Sequence, residues 1–294
     1  MGKTEVTIAG IGISMETPWR ERLSESFLPF MQGEVEASYD AAFCERPSLE
    51  KITKSPVFQN TGYAVYEDGE GGYLWTFHSL PRITEAYAMT RLDLKKRKVL
   101  VEYLPGSEWC FGSQKQDFSY ICWERLLIHD QRLNLHAACV DTDFGGILFS
   151  GPSGIGKSTQ AELWCKFADA RLLNGDRPIL SEKASGWMAY GSPYAGSSNC
   201  YRNESTKIRA IVMLKQAKEC TIRKLRTTEA FRSIYREVTI HPWDKAFVLT
   251  AGDLVQKLVL EIPVYELSCT PDERAVELLK NTLREENFGE CQRT

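Results

Sequence analysis

Hydrophobic and polar positions alternate differently in the two halves of the chain. Up to about residue 128, apolar residues fall in short stretches, at 62–66, 72–77 and 98–103, separated by turn-rich runs such as 67–72. A period of two marks half-buried strands, so residues 1–128 are predicted to form a β-rich α+β unit. Residues 118–128 then place apolar side chains at helical spacing, which predicts a helix leading into a second unit over 129–294. There, 134–140 and 146–150 read as strands joined by the turn 141–145, and 160–167 reads as a helix. Residues 171–174 form a strand, and 178–183 and 187–190 flank Ala184, Ser185 and Gly186 as a hairpin. Residues 191–198 read as a flexible polar loop, 208–214 as a strand, and 231–236 as a helix whose apolar residues share one face. Pro271 followed by acidic residues opens a closing helix. The fold class is therefore α/β, with strands and helices mixed in the second unit and no repeat or low-complexity linker between the two.

Composition adds exclusions. With 294 residues, 43% hydrophobic and 26% charged, the chain can bury one or two cores without disulfides or metals. A net charge of −3 lacks the basic excess of nucleic-acid or anionic-membrane binders, so neither partner is expected. The opening residues lack the apolar core of a signal peptide, and no run approaches the roughly 18 apolar residues of a membrane span, so a cytoplasmic location is expected. Nine cysteines are scattered with no C-x-x-C pair, which suggests neither a zinc site nor a disulfide framework.

The candidate chemistry sits between the strand 146–150 and the helix after it. Gly151, Pro152, Ser153, Gly154, Ile155, Gly156, Lys157, Ser158 and Thr159 fit the spacing G-x(4)-G-K-[ST], with an extra glycine at 154. Glycines let backbone N–H groups turn toward phosphate oxygens, and the following helix offers them the positive end of its dipole. Lys157 is placed to reach the β- and γ-phosphates, and the Ser158 hydroxyl to hold Mg²⁺. Downstream, the strand 171–174 leads to Asp176, a carboxylate at a strand end that can bind the same Mg²⁺. His136 lies in a strand-like run close to the loop in sequence, and either lines the site or is a satisfied core residue. The mixed-charge run 201–209 could supply Glu204 as a second acid or a cation for phosphate, or could simply be a solvated face. His78, His129 and His241 are read as structural.

The order of His136, a hairpin turn, the G-x-S-G-x-G-K-S loop and a strand ending near Asp176 is similar to the catalytic domain of HPr kinase/phosphorylase. That fold is related to ATP-dependent phosphoenolpyruvate carboxykinase and to kinases that modify ribosomally made peptides. The resemblance covers roughly residues 130–280. It implies ATP and Mg²⁺ as cofactors, and site roles for His136, Lys157, Ser158 and Asp176. The family shows two adjacent aspartates where this chain has Gly175 and Asp176, so a base for an acceptor hydroxyl must come from His136, Glu204 or the substrate. The HPr kinase signature that follows the site is not recognisable, and HPr is not the expected substrate. The expected activity is ATP-dependent phosphotransfer to a hydroxyl of a small molecule or peptide. The alternatives are a non-catalytic ATP-binding regulator and a carboxykinase-like enzyme, the last lacking a visible cluster of His, Lys and Asp for Mn²⁺.

Overall fold

The structure, a computed structural model, describes residues 2–17, 24–78, 85–108, 111 and 119–291. The chain divides into two compact units, Met1–Asp130 with Pro242–Lys245, and Gln131–His241 with Ala246–Thr294. Nothing in the pattern of residues anticipated that the short segment 242–245 belongs with the first unit.

The first unit is built on strands β1 (Gly2–Ile8), β2 (Ile11–Thr17), β3 (Ala37–Glu45), β4 (Phe58–Gln59), β5 (Tyr63–Glu67), β6 (Tyr73–His78), β7 (Ala86–Asp93) and β8 (Lys98–Tyr103). They form one eight-stranded sheet in the order β1-β2-β3-β8-β7-β6-β5-β4. Pairing is antiparallel except where β3 joins β2 and β8. The period-two rule is visible in β3, where Tyr39, Ala41 and Phe43 are buried and Ser38 and Asp40 face water. Ser119 and Tyr120 are helical, as the pattern predicted, but the helix is interrupted at Ile121 and Cys122, where Cys122 takes a left-handed conformation (φ 50°), and it resumes as α1 over Trp123–His129. Phe118, where that helix was expected to begin, lies outside the described residues.

The second unit contains β9 (Arg132–Asn134), β10 (Ala137–Thr142), β11 (Gly145–Ser150), β12 (Arg171–Asn174), β13 (Ile179–Lys183), β14 (Gly186–Tyr190), β15 (Ser205–Gln216), β16 (Thr221–Lys224) and β17 (Val264–Cys269). Its helices are α2 (Lys157–Phe167), α3 (Thr227–Glu237), α4 (Lys245–Glu261) and α5 (Glu273–Cys291). Strands β12, β10, β11 and β15 lie side by side, and the long β15 joins two sheets. Its first residues pair antiparallel with β14, which continues to β13 and β9, while its later residues pair parallel with β17. Strands β11, β15 and β17 are parallel, and their central residues, such as Ile147, Leu148, Phe149, Ile211 and Val212, are buried without alternation. Unbroken apolar runs are what a parallel sheet covered on both faces requires. Ala161 and Trp164 of α2 and Ala275, Val276 and Leu279 of α5 close over Phe149, Val212 and Leu267 in one core cluster. The larger aliphatic and aromatic side chains among them, such as Phe149, Val212, Leu267 and Leu279, each contribute about 1.5–3 kcal/mol by leaving water.

Three expectations are corrected here. The predicted strand 134–140 is broken at Leu135 and His136, because β9 pairs with β13 while β10 pairs with β11 and β12. His136 therefore sits at the switch between sheets, its N–H donating to Glu237 O at 2.9 Å. Residues 191–198, expected to be flexible, are largely packed. The buried Asn174 donates its Nδ2 to Ser192 O and Tyr194 O (both 3.2 Å), and a side chain at Gly191 would collide with Arg202 O. Third, β15 begins three residues earlier than the predicted strand and ends two residues later.

Candidate functional site

The glycine loop bridges the carboxyl end of β11 and the amino end of α2. Gly151 and Gly156 have φ of 138° and 112°, and a Cβ on Gly151 would make only ordinary contact with Ile155 and Leu214 O, so the backbone angles and not the space call for glycine. Only glycine takes such angles without strain. No side chain caps α2, whose first residue after Gly156 is Lys157, so the helix offers its first N–H groups outward. Lys157 is only 7% exposed and folds back over the loop, donating to Gly151 O at 3.0 Å and Pro152 O at 3.2 Å. Burial holds its pKa below the ordinary lysine value, and the nearby carboxylates of Glu237 and Asp176 partly oppose that.

Those carboxylates belong to a cluster at the same end of the sheet. His136 Nδ1 lies 3.2 Å from Glu237 Oε2, and its Nε2 lies 3.5 Å from Asp176 Oδ1. Burial first, then the Lys157 and Arg177 cations, hold the imidazole pKa below its ordinary value in spite of the two carboxylates. A neutral imidazole with its one N–H given to Glu237 carries a lone pair on Nε2. Backbone bonds fix the geometry. Ala137 N donates to Asp176 O at 3.0 Å, Ser150 Oγ donates to His136 O at 2.9 Å, and Asn174 Oδ1 accepts from the N–H groups of Asp176 and Arg177 at 3.0 and 2.7 Å. An Asn folding its side chain over the following residues is a known turn device.

Asp176 Oδ1 and Oδ2 stand 3.5 Å and 3.8 Å from the nitrogens of His136 and Arg177, beyond ordinary hydrogen-bond distance. A carboxylate with oxygens so loosely held is free to ligate a cation, and the Ser158 hydroxyl, at the second position of α2, is the other donor the loop offers. Among the described residues no group of three or more His, Cys, Asp or Glu could hold a metal unaided. Mg²⁺ in phosphate sites normally keeps only one or two protein ligands, so this is the donor set it would find.

Glu204 is corrected. It pairs with Arg171 and lies 3.8 Å from Arg202, while Arg171 also reaches Asp141 and Thr206 bonds Asp141. Asp141 pairs with Gly146, at the start of β11, whereas the glycine loop follows its end at Ser150. A six-residue strand spans about 20 Å, so Glu204 serves an ion-pair cluster at the opposite end of the sheet. Gly175 also has a structural reason. A side chain there would strike Ser198 Oγ and Cβ, so Ser198 fills the space a second carboxylate would need.

Glu237 was missed by sequence reasoning. It is the last residue of α3, 101 positions from His136, and no spacing rule connects the two. Asn174 was likewise read only as part of a strand.

No protein-family model matches the chain, and no curated protein matches it. Among solved structures, the chain is similar to the structure of the Hpr(Ser) kinase/phosphatase from Coxiella burnetii. Identity is 13%, the alignment covers 54% of this chain and 96% of that one, and the TM-score is 0.34. A likeness at that score transfers no residue roles, and the roles below rest on geometry. Among the described residues no helix is long and apolar enough to cross a membrane.

Proposed function

We propose that the second unit binds a nucleoside triphosphate, ATP in the first instance, with Mg²⁺ at residues 151–159 and transfers its γ-phosphate to a hydroxyl of a small molecule or peptide. The observation that carries this reading is the meeting of Lys157, Asp176 and His136 at the carboxyl end of β11, where the glycine loop turns its backbone into the helix. Phosphoryl transfer asks a protein mainly to position the phosphates and offset their charge. Lys157 would exchange the Gly151 and Pro152 carbonyls for β- and γ-phosphate oxygens. Mg²⁺ held by Ser158 and Asp176 would offset charge on those oxygens when bound. His136, fixed through Nδ1 by Glu237, would accept the acceptor's hydroxyl proton at Nε2 as the new O–P bond forms and the bond to the departing ADP breaks. Arg177, beside Asp176, adds a second cation to the same side.

A regulatory reading has one observation in its favour. Ser198 occupies the place of a second carboxylate beside Gly175, which suits a site that binds ATP without turnover. Incubation with γ-labelled ATP and candidate hydroxyl acceptors separates the two readings. Transfer in Mg²⁺, lost in EDTA and lost in Asp176→Asn, is expected. Saturable Mg·ATP binding with no acceptor ever labelled favours the regulator. Equal effects of Asp176→Asn on nucleotide affinity in Mg²⁺ and in EDTA would leave that residue a structural role.

A further inference from the structure

On the side of the glycine loop away from His136, a cleft of about 520 Å³ opens between Gly154–Gly156, the end of β15 and the end of β17. Ligands of open α/β sheets collect outside the carboxyl ends of parallel strands, and both strands end here. The floor is unusual in its chemistry. The inward stripe of α2 is made by Lys157, Gln160, Ala161 and Trp164, a helical face on which apolar residues are the norm. Two of those four are polar. Lys157 has its partners in the loop, but Gln160, 2% exposed, does not complete its own. Its Nε2 donates to Cys269 Sγ at 3.3 Å, and among the described residues its buried Oε1 has no hydrogen-bond partner. Leaving such an acceptor empty costs free energy that a ligand donor can recover. The rest of the lining grades from neutral to cationic. Leu214 and Cys269 are buried, the Cys269 thiol is kept protonated with a pKa pushed up to about 11 by burial, and Lys215 and Lys218 are exposed at the rim.

We propose that this cleft seats the nucleoside end of the nucleotide and that the Gln160 amide, turning on its side-chain torsions to bring the buried Oε1 to the cleft surface, accepts a hydrogen bond from an amino group on the base. The inference rests on the triphosphate reading of the loop. The phosphates would lie over the glycines, with His136 and Asp176 on one flank and the base on the other, against an uncharged floor suited to an aromatic ring. Bases with an exocyclic amino group supply the missing donor. Hypoxanthine presents a carbonyl oxygen in the place of adenine's amino group and sets two acceptors face to face.

Calorimetric titration of the full chain with Mg·ATP, Mg·ITP and Mg·tripolyphosphate tests this. Wild-type protein should bind Mg·ATP at least about 10-fold more tightly than Mg·ITP, the weight of one buried acceptor left unpaired. Gln160→Met, close in volume, should abolish that preference and leave tripolyphosphate affinity unchanged, which also reports an intact loop. Ala217→Trp, which fills the cleft, should remove ATP binding and spare tripolyphosphate. Equal affinities for ATP and ITP in the wild type, or a preference that survives Gln160→Met, would overturn the inference while the loop reading stands. If tripolyphosphate and both nucleotides all fail to bind, the loop reading falls and this inference with it.

Discussion

His129 and His136 stand seven residues apart on either side of the division between the units, and each lies beside a carboxylate. In both, burial is the first cause holding the imidazole pKa below its ordinary value. Their partners differ. His129 Nδ1 meets the Tyr39 hydroxyl at 2.7 Å, Tyr39 donates onward to Asp130 at 2.7 Å, and Arg97 covers both oxygens of Asp130 at 3.0 and 2.7 Å. That is a closed network in which each member has a partner, and it ties α1 to the sheet. His136 has one carboxylate at hydrogen-bond distance and another beyond it, beside a lysine whose bonds go to loop carbonyls that a phosphate can replace. A closed network serves the fold, and an open one beside an anion cradle serves a ligand. Proximity of a histidine to an acid does not by itself distinguish them.

The largest effect expected from breaking this contrast is on turnover. His136→Gln should slow phosphate transfer by roughly 10²–10⁴-fold, the usual weight of a general base, and leave Mg·ATP affinity unchanged. Single-turnover assays with a labelled acceptor check it, and an equal loss of affinity would make His136 a binding residue instead. The converse change is Tyr39→Phe, which should cost the first unit about 1–3 kcal/mol by opening its network, with no change in nucleotide affinity. Denaturant unfolding with parallel binding titrations reads both. Gly175→Ala should destabilise the second unit by about 1–3 kcal/mol through its clash with Ser198, and adding Ser198→Gly should recover part of that loss. A double-mutant cycle on unfolding free energy measures the coupling. The smallest and most diagnostic effect is on pH. A base must be neutral, so kcat/KM should be full above the His136 pKa and fall as pH drops through it, with a midpoint below the ordinary value of about 6.5. His136→Gln should lack that limb.

What the sequence disclosed follows from how local each feature is. The glycine loop was legible because its chemistry is contiguous, running from Gly151 to Thr159 with a strand before and a helix after. The turn at 143–144 between β10 and β11 and the 184–185 turn between β13 and β14 were legible for the same reason. Glu237 was hidden because it comes to His136 through tertiary packing of α3, and the amphipathic pattern of that helix says nothing about its last residue. The break at Leu135 and His136 was hidden because Leu135 and the apolar residues 137–140 read as one strand, and only pairing with two different sheets reveals that the chain changes partners. Glu204 misled because the mixed-charge run that contains it lies at the far end of the strands, where Glu204 is bonded to Arg171.

The account stands most directly on whether the loop holds a triphosphate. Calorimetric titration with a non-hydrolysable Mg·ATP analogue should show saturable binding to the wild type, weakened about 10- to 100-fold in Lys157→Ala, as the loss of a charge-assisted hydrogen bond requires, while thermal unfolding shows the variant folded. Unchanged affinity in Lys157→Ala, or no binding by the wild type, would contradict it.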